Sequence, residues 1–504
     1  MITRTLREIA AMAGGTLVVP PEVEEDVAEH AVTRVVTDSR QTGPGTLFVA
    51  IAGERTDGHA HLADVAVRTG TAVLVSDLDA ARDGLVAAGT GPEALPLILV
   101  ADTVEALGAI ARAHLADLRE RAAAHGGVVT VVGMTGSVGK TTTKDLTRQV
   151  LASQAPTVAP VASFNNEIGL PLTVLEADES TRFLVLELGS SAPGHIAYLT
   201  GIAPLDAAAV LMVGHAHMGG FGSLEVVADA KAEIVRGLLP TGTAVLNLDD
   251  PRTAAMAEQA PAEVLTFSAT GDEAAQLRAT DVELDEQAHA VLDLHLPGLE
   301  TPRRVRLALP GAHNVANALA AAGLALAAGV EAEAVVEALA SARLESPHRM
   351  DVRETHVQAG ADGAPAMELL VIDDSYNANI DSMTASLAAL PTLAGQRRRV
   401  VLVSEMLELG PASAADHRRT GELVAAAGAA LLLTVGPGAA PAAAAARSAG
   451  VETVECEDAD AALELLGSAA TPLRDGDAVL VKGSHDSGAW RLAEYLCAEE
   501  TATR

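Results

Sequence analysis

The sequence predicts an α/β protein of three domains: a small N-terminal α/β unit, a central parallel-sheet domain of phosphate-loop ATPase type, and a C-terminal Rossmann-like domain. Three observations carry this. Short runs rich in Val, Leu and Ala alternate with helical patterns along most of the chain, as in parallel sheets covered by helices. The chain has 504 residues, too many for one ordinary core when domains hold roughly 100 to 200 residues. Aromatic residues make up 2% while hydrophobic residues reach 49%, so the cores must be built of Ala, Val and Leu in closely packed layers.

Taken in order, residues 1–103 mix short strands at 32–37, 47–51, 72–75 and 97–100 with Gly-rich turns and form the first domain. A helical, Ala-rich connector at 104–124 opens the second, 104–345. There an apolar run from Val128 leads into a glycine loop, and strands follow at 183–188, 207–213, 244–248 and 264–267. Residues 281–309 are strand-like until Pro310-Gly311, after which a long Ala-rich helix starts near Asn314. Helical periodicity stops at Ser346-Pro347, and the third domain, 346–504, repeats the alternation with strands at 369–372, 400–403, 431–435 and 478–481. The uncharged stretch 423–446 is broken by Gly436-Pro-Gly438 and Pro441. It reads as helix, strand and helix, and no membrane insertion is expected.

The net charge of −33, with no basic stripe, excludes nucleic-acid binding, which needs clustered cations. Cys456 and Cys497 are the only cysteines and have no metal-ligand spacing, so neither a disulfide framework nor structural zinc is expected. The amphipathic start, Met1-Ile-Thr-Arg-Thr-Leu-Arg, lacks an apolar signal core. A cytoplasmic location fits both.

The chain has four lysines against thirty arginines, and three of them, Lys140, Lys231 and Lys482, lie in or beside motif-like stretches, where a compact ammonium with a movable pKa is wanted. Lys140 lies in Thr135-Gly-Ser-Val-Gly-Lys-Thr-Thr142, between a β-rich run and a helical pattern. Glycines there let backbone N–H groups converge on phosphate oxygens at a helix N-terminus. Lys140 would reach the β- and γ-phosphates and Thr141 would hold Mg2+. The usual spacing has a glycine where Met134 stands, so the match is to a shorter loop. Glu187 ends an apolar strand at the edge where ligands bind in such sheets, although a structural ion pair would explain it nearly as well. His215 and His217 follow the next strand, and either could approach a cation beside the phosphates.

Thr135-Gly-Ser-Val-Gly-Lys-Thr-Thr-Thr, Asn165-Asn-Glu-Ile-Gly, Ala216-His-Met-Gly-Gly-Phe-Gly, Pro310-Gly-Ala-His-Asn-Val-Ala-Asn and Asp373-Asp-Ser-Tyr-Asn-Ala-Asn occur in this order, preceded by Asp38-Ser-Arg and Asp57-Gly-His. Together they resemble the Mur ligases over nearly the whole chain, and within that family its dipeptide-adding members. The resemblance implies an ATP- and Mg2+-dependent ligase that joins D-Ala-D-Ala to UDP-N-acetylmuramoyl-tripeptide through an acyl phosphate, acting in the cytoplasm as a monomer.

It also assigns residues. Thr135, Gly136, Ser137, Val138, Gly139, Lys140, Thr141 and Thr142 would hold the phosphates, Asn314 the adenine, and Arg349 and Asp374 would close from the third domain. Thr141 and Glu187 would share one metal ion, with His217 near a second, the resemblance alone choosing it over His215. Lys231 matches a lysine that can be carbamylated in these ligases, which would add a carboxylate to the metal site. Ser39, Arg40, Asp57, Gly58 and His59 would meet the uridine nucleotide, and Asn165 and Asn166 the peptide end. The chain departs from the family at Asn379-Ile380, where Asn-Pro is usual, at Ser404-Glu, where Gly-Asp is usual, and at His485, where Arg is common. The alternatives are a ligase acting one amino acid earlier, a folylpolyglutamate-type synthetase, which would lack the N-terminal domain, a phosphate-loop kinase, and a nucleotide-binding regulator without chemistry.

Overall fold

The computed structural model describes residues 1–19, 24–53, 56–86, 91, 95–161, 163–215, 221–261, 263–357 and 366–498. The first of its three main sheets has five strands in the order Thr16–Val18, Leu97–Leu99, Ala72–Val75, Thr46–Val49, Arg34–Val36, all parallel except the first. The first helix, Leu6–Ala13, is held by a capping box in which the Thr5 side chain accepts from the Glu8 amide and the Glu8 side chain accepts from the Thr5 amide. Such reciprocal bonds satisfy two amides that a helix start leaves unpaired.

The connector is a helix, Thr103–Ala124, capped by Asp102, which accepts from the amides of Val104 and Glu105. One apolar cluster runs from Leu6 and Ile9 through Leu107, Ile110 and Leu115 to Leu184 and Leu205. The first sheet's neighbourhood and one face of the second sheet are therefore glued through this helix.

The second sheet has nine strands. Thr130–Thr135 lies between Leu205–Val210 on one side and Phe183–Glu187 on the other, all parallel, with Glu187 beside Met134 and Val210 beside Thr135. The chain leaves Thr130–Thr135 toward both sides, which makes its carboxyl end a topological switch point. The strand-like region near 281–309 consists of three strands, Leu277–Leu284, His289–His295 and Arg303–Pro310, paired antiparallel. Helix Asn314–Ala327 covers the sheet with buried Ala318, Ala320, Ala321, Ala322 and Ala325. A Cβ at Gly323 would meet Val245 Cγ1 at 2.5 Å, so this packing depends on small residues and accounts for the scarcity of aromatics.

The third sheet runs Asp351–Val357, Met367–Asp374, Ala478–Lys482, Arg399–Ser404, Leu431–Val435, Glu452–Cys456, parallel but for the first strand. Separate apolar clusters cover its two faces, as in a doubly wound domain. The stretch 423–446 holds the end of helix Ser413–Ala426, strand Leu431–Val435 and helix Ala440–Ser448. No helix among the described residues is long and apolar enough to cross a membrane.

The chain between the second and third sheets is tied to the helix that follows the phosphate loop, Lys140–Ala152. Gln149 donates to Arg343 O at 2.8 Å and accepts from Arg343 N at 3.0 Å, and Ser346 N donates to Asp145 Oδ2 at 3.0 Å. Buried Lys144 lies 2.6 Å from Asp145 Oδ1 and donates to Pro160 O at 2.9 Å. It also donates to Ser346 Oγ at 3.3 Å, which joins the loop helix to the linker.

Candidate active site

A cleft of about 810 Å3 opens at the carboxyl edge of the second sheet and is lined from the connector helix, the glycine loop and the third sheet. Its floor is the turn from strand Thr130–Thr135 into helix Lys140–Ala152. Gly139 caps that helix at φ 85°, and a Cβ there would meet Asn317 Oδ1 at 2.3 Å. Only glycine satisfies both the left-handed backbone and the close approach. Lys140 Nζ donates to Gly136 O at 2.9 Å. Burial pushes its pKa down and Arg349 adds to that, while Glu187 opposes it.

Thr141 is the junction of the site. Its hydroxyl donates to Glu187 Oε2 at 3.1 Å, lies 2.9 Å from Ser163 Oγ, and accepts from Arg349 Nη2 at 3.0 Å. Glu187 is 1% exposed and accepts a second bond, from Asn165 Nδ2 at 2.8 Å. A buried carboxylate and a hydroxyl side by side are hard oxygen donors of the kind Mg2+ takes.

Lys231, on helix Leu224–Arg236, is 4% exposed and has no hydrogen-bond partner among the described residues. Burial, with Lys140 nearby, lowers its pKa to about 7. A buried amine is held toward its neutral form because charge is costly away from water. His217 lies outside the described residues. His215, the competing ligand, puts its ring Nδ1 3.6 Å from Asp381 Oδ1 of the third sheet's side.

Asn314 is buried and donates to Pro310 O at 2.8 Å, and its Oδ1 accepts from Asn317 Nδ2 at 2.8 Å. Arg349 is carried between His348 and Met350, whose φ values of 60° and 54° are unusual without glycine and mark a backbone held by its surroundings. Its guanidinium lies 4.1 Å from the centre of the Tyr376 ring. Asp374 faces Lys482 across adjacent strands, Oδ2 to Nζ 2.5 Å, and accepts from Ser386 Oγ. His485 is stacked on Trp490 and tilted against Tyr376, with ring centres 5.7 and 5.8 Å away; here it is an aromatic neighbour.

The N-terminal candidates do not line this cleft. Ser39 and Arg40 follow strand Arg34–Val36, and Asp57, Gly58 and His59 follow Thr46–Val49, so all five sit at the carboxyl edge of the first sheet. Arg40 pairs with Asp38 at 2.7 Å, and its hydrogen bonds hold the Asp38 carboxyl at a pKa of about 2. Buried His59 lies 2.6 Å from Asp57 Oδ1 through Nδ1, while Nε2 accepts from the amides of Ser76 and Asp77 at 3.2 and 3.4 Å. Nδ1 therefore carries the proton. Asn166 lines the cleft, and its Oδ1 accepts from Gly169 N at 2.9 Å to shape the turn before helix Gly169–Glu176.

Sequence reading missed Ser163, Asn317 and Tyr376. Asn317 was within reach, because it stands three residues after Asn314 and so on the same helix face. Tyr376 carried a signal as one of three tyrosines inside a candidate motif. Ser163 carried none.

A glycine loop whose threonine hydroxyl is shared with a carboxylate of its own sheet and a guanidinium of a second α/β layer fits one class: ATP-dependent ligases with a covering domain. Residues 134–325 match the Mur ligase middle domain, and residues 348–485 match the Mur ligase, glutamate ligase domain. The UDP-N-acetylmuramoyl-tripeptide–D-alanyl-D-alanine ligase of Mycobacterium tuberculosis is 41% identical, with 99% of each chain covered, and that of Escherichia coli 33%, with 86% of each covered. Among solved structures, MurF from Acinetobacter baumannii superposes with a TM-score of 0.79 at 29% identity, covering 98% of this chain and 99% of that one. MurF from Thermotoga maritima in complex with ADP gives 0.71 at 26%, covering 92% and 97%. The chain belongs to the Mur ligase family.

Proposed function

We infer that the chain joins D-alanyl-D-alanine to UDP-N-acetylmuramoyl-tripeptide at the expense of ATP, in the cytoplasmic synthesis of a peptidoglycan precursor. The observation that carries this is the Arg349–Thr141 hydrogen bond of 3.0 Å, which brings a cation from just before the third sheet onto the phosphate loop, in a chain 41% identical along its length to a ligase of that name. The division of labour is 1–103 for the uridine nucleotide, 104–345 for ATP and 346–504 for closure.

The loop amides from Gly136 to Thr142 and the Lys140 ammonium hold the β- and γ-phosphates. An oxygen of the tripeptide carboxylate attacks the γ-phosphorus, the bond to ADP breaks, and an acyl phosphate forms. The dipeptide amine then attacks the acyl carbon, the C–O bond to phosphate breaks, the nitrogen loses a proton, and the amide remains. Both steps depend on positioning and on neutralising negative charge, the task of Lys140 and Arg349. Thr141 and Glu187 would hold Mg2+, which supplies charge neutralisation at the phosphates when bound. Lys231, as a carbamate, would add a carboxylate there, and a neutral amine is what CO2 requires. His217 is assigned near a second ion on the family likeness alone. Asn314 faces the adenine, Asp374 holds Lys482 at the cleft wall, Asn165 and Asn166 face the peptide end, and Ser39, Arg40, Asp57, Gly58 and His59 form the nucleotide edge of the first sheet.

Phosphate release is the test. With Mg-ATP, UDP-N-acetylmuramoyl-tripeptide and D-Ala-D-Ala, release is expected only when all are present, with a product heavier by the dipeptide less water. Release to water without the dipeptide, or transfer to a stable phosphorylated product, would refute the assignment.

A further inference from the structure

We propose that Asp381 is a positioning residue that sets the third domain in register with the phosphate loop through Gly214 and Ser137. This rests on the ligase reading for its kinetic consequence but not for its structural one.

Asp381 is the second residue of helix Ile380–Ala394, which is capped by Asn379. A carboxylate there usually serves the free amides of its own helix start. This one is turned outward. Its Oδ2 accepts from His215 N at 2.8 Å, on the loop that follows strand Leu205–Val210 of the second sheet. A Cβ at Gly214 would lie 2.2 Å from the same Oδ2. The φ of Gly214 is not among the positive ones, so the glycine is required by the carboxylate docked on it and not by its own backbone.

Gly214 in turn grips the phosphate loop. Its N donates to Ser137 Oγ at 2.8 Å, and Ser137 Oγ donates to Gly214 O at 3.0 Å. Ser137 O accepts from Asn379 Nδ2 at 3.4 Å. Two residues at one helix start thus hold both sides of a single junction: Asn379 touches Ser137, and Asp381 touches the segment bonded to Ser137. Ser137 is four residues from Thr141, to which Arg349 must reach. The Asn379-Ile-Asp segment, set apart in the sequence by its departure from Asn-Pro, therefore sets the register on which the Arg349 contact depends.

Asp381→Ala is expected to lower kcat roughly ten- to a hundredfold, the scale of an ångström-sized misplacement, with the ADP dissociation constant within about twofold because the loop's phosphate donors remain. Asp381→Asn keeps an acceptor oxygen and should recover most of the loss. Gly214→Ala should cost as much in the otherwise unchanged chain yet add little in the Asp381→Ala background, where no carboxylate is left to collide, the non-additivity expected of a contacting pair. Small-angle scattering with saturating ADP should show a more extended Asp381→Ala chain. Unchanged scattering and kcat in Asp381→Ala, or losses that multiply in the double variant, would overturn the proposal. A wild-type chain that forms no amide under any condition would instead refute the ligase reading, and the scattering comparison would still decide the role of Asp381.

Discussion

Arg349 donates to the hydroxyl of Thr141 at 3.0 Å from a backbone held on both sides at positive φ. Its other face lies against Tyr376, 4.1 Å from the ring centre. A ring face attracts a guanidinium with about 1 to 2 kcal/mol when partly desolvated, roughly a five- to thirtyfold effect on a rate. Tyr376→Leu should lower kcat within that range, while Tyr376→Phe, which keeps the ring face, should stay within about threefold of wild type. Equal losses in steady-state kinetics of the two variants would show that the ring does not position Arg349.

Gly139→Ala should damage nucleotide binding more than folding. The substitution places a Cβ on a residue at φ 85° and 2.3 Å from Asn317 Oδ1. The backbone alone costs about 1 to 2 kcal/mol, and the collision disturbs the Asn317–Asn314 pair as well. Titration with a fluorescent ADP analogue should show affinity reduced tenfold or more, with the circular dichroism spectrum unchanged. Wild-type affinity would contradict the assignment of this turn as the phosphate cradle.

Lys231 should be modified in the active enzyme. Its pKa is lowered to about 7 by burial and by Lys140, so the neutral amine that reacts with CO2 predominates above that pH and is lost below it. Activity should fall in CO2-depleted buffer, return with bicarbonate, and weaken as the pH drops through about 7. Carbon-13 NMR of enzyme equilibrated with labelled CO2 should show a carbamate signal that Lys231→Ala lacks. An active enzyme carrying only the free amine would refute the modification.

His114 should make stability depend on pH in acid. The ring is fully buried, lies 2.9 Å from Ala177 O through Nε2 and leaves Nδ1 unpartnered. Burial, outweighing that hydrogen bond, lowers its pKa from 6.5 to about 4. The folded chain keeps it neutral in this window while the unfolded chain binds a proton, so this contribution is constant above pH 6.5 and stability is lost as pH falls toward 4. His114→Gln can still donate to Ala177 O without titrating, and its melting temperature should fall less over the same window. Parallel curves for the two proteins would contradict this.

Much of this was legible in the sequence because central strands are buried on both faces and read as unbroken apolar runs, as at 400–403 and 478–481. Edge strands are half exposed and do not. Glu452–Cys456, with Glu452 and Glu455 exposed, and Asp351–Val357, rich in charge, are strands because a neighbour pairs with them. At the site, Lys140, Thr141 and Glu187 were visible because glycines and an apolar strand announce them. The contacts of Tyr376 and Asp381 were not, since a ring beneath an arginine and a carboxylate seated on a glycine arise only when two distant segments meet. Lys144, the lysine outside the motifs, has a structural task through its buried partners Asp145 and Pro160.

The most direct test follows the oxygen. UDP-N-acetylmuramoyl-tripeptide labelled with oxygen-18 in its terminal carboxylate, turned over with Mg-ATP and D-Ala-D-Ala, is expected to pass one labelled oxygen to the released phosphate for each amide formed. Amide formation with no label in phosphate, or label recovered in AMP, would contradict attack of the carboxylate on the γ-phosphate held by Lys140 and Arg349.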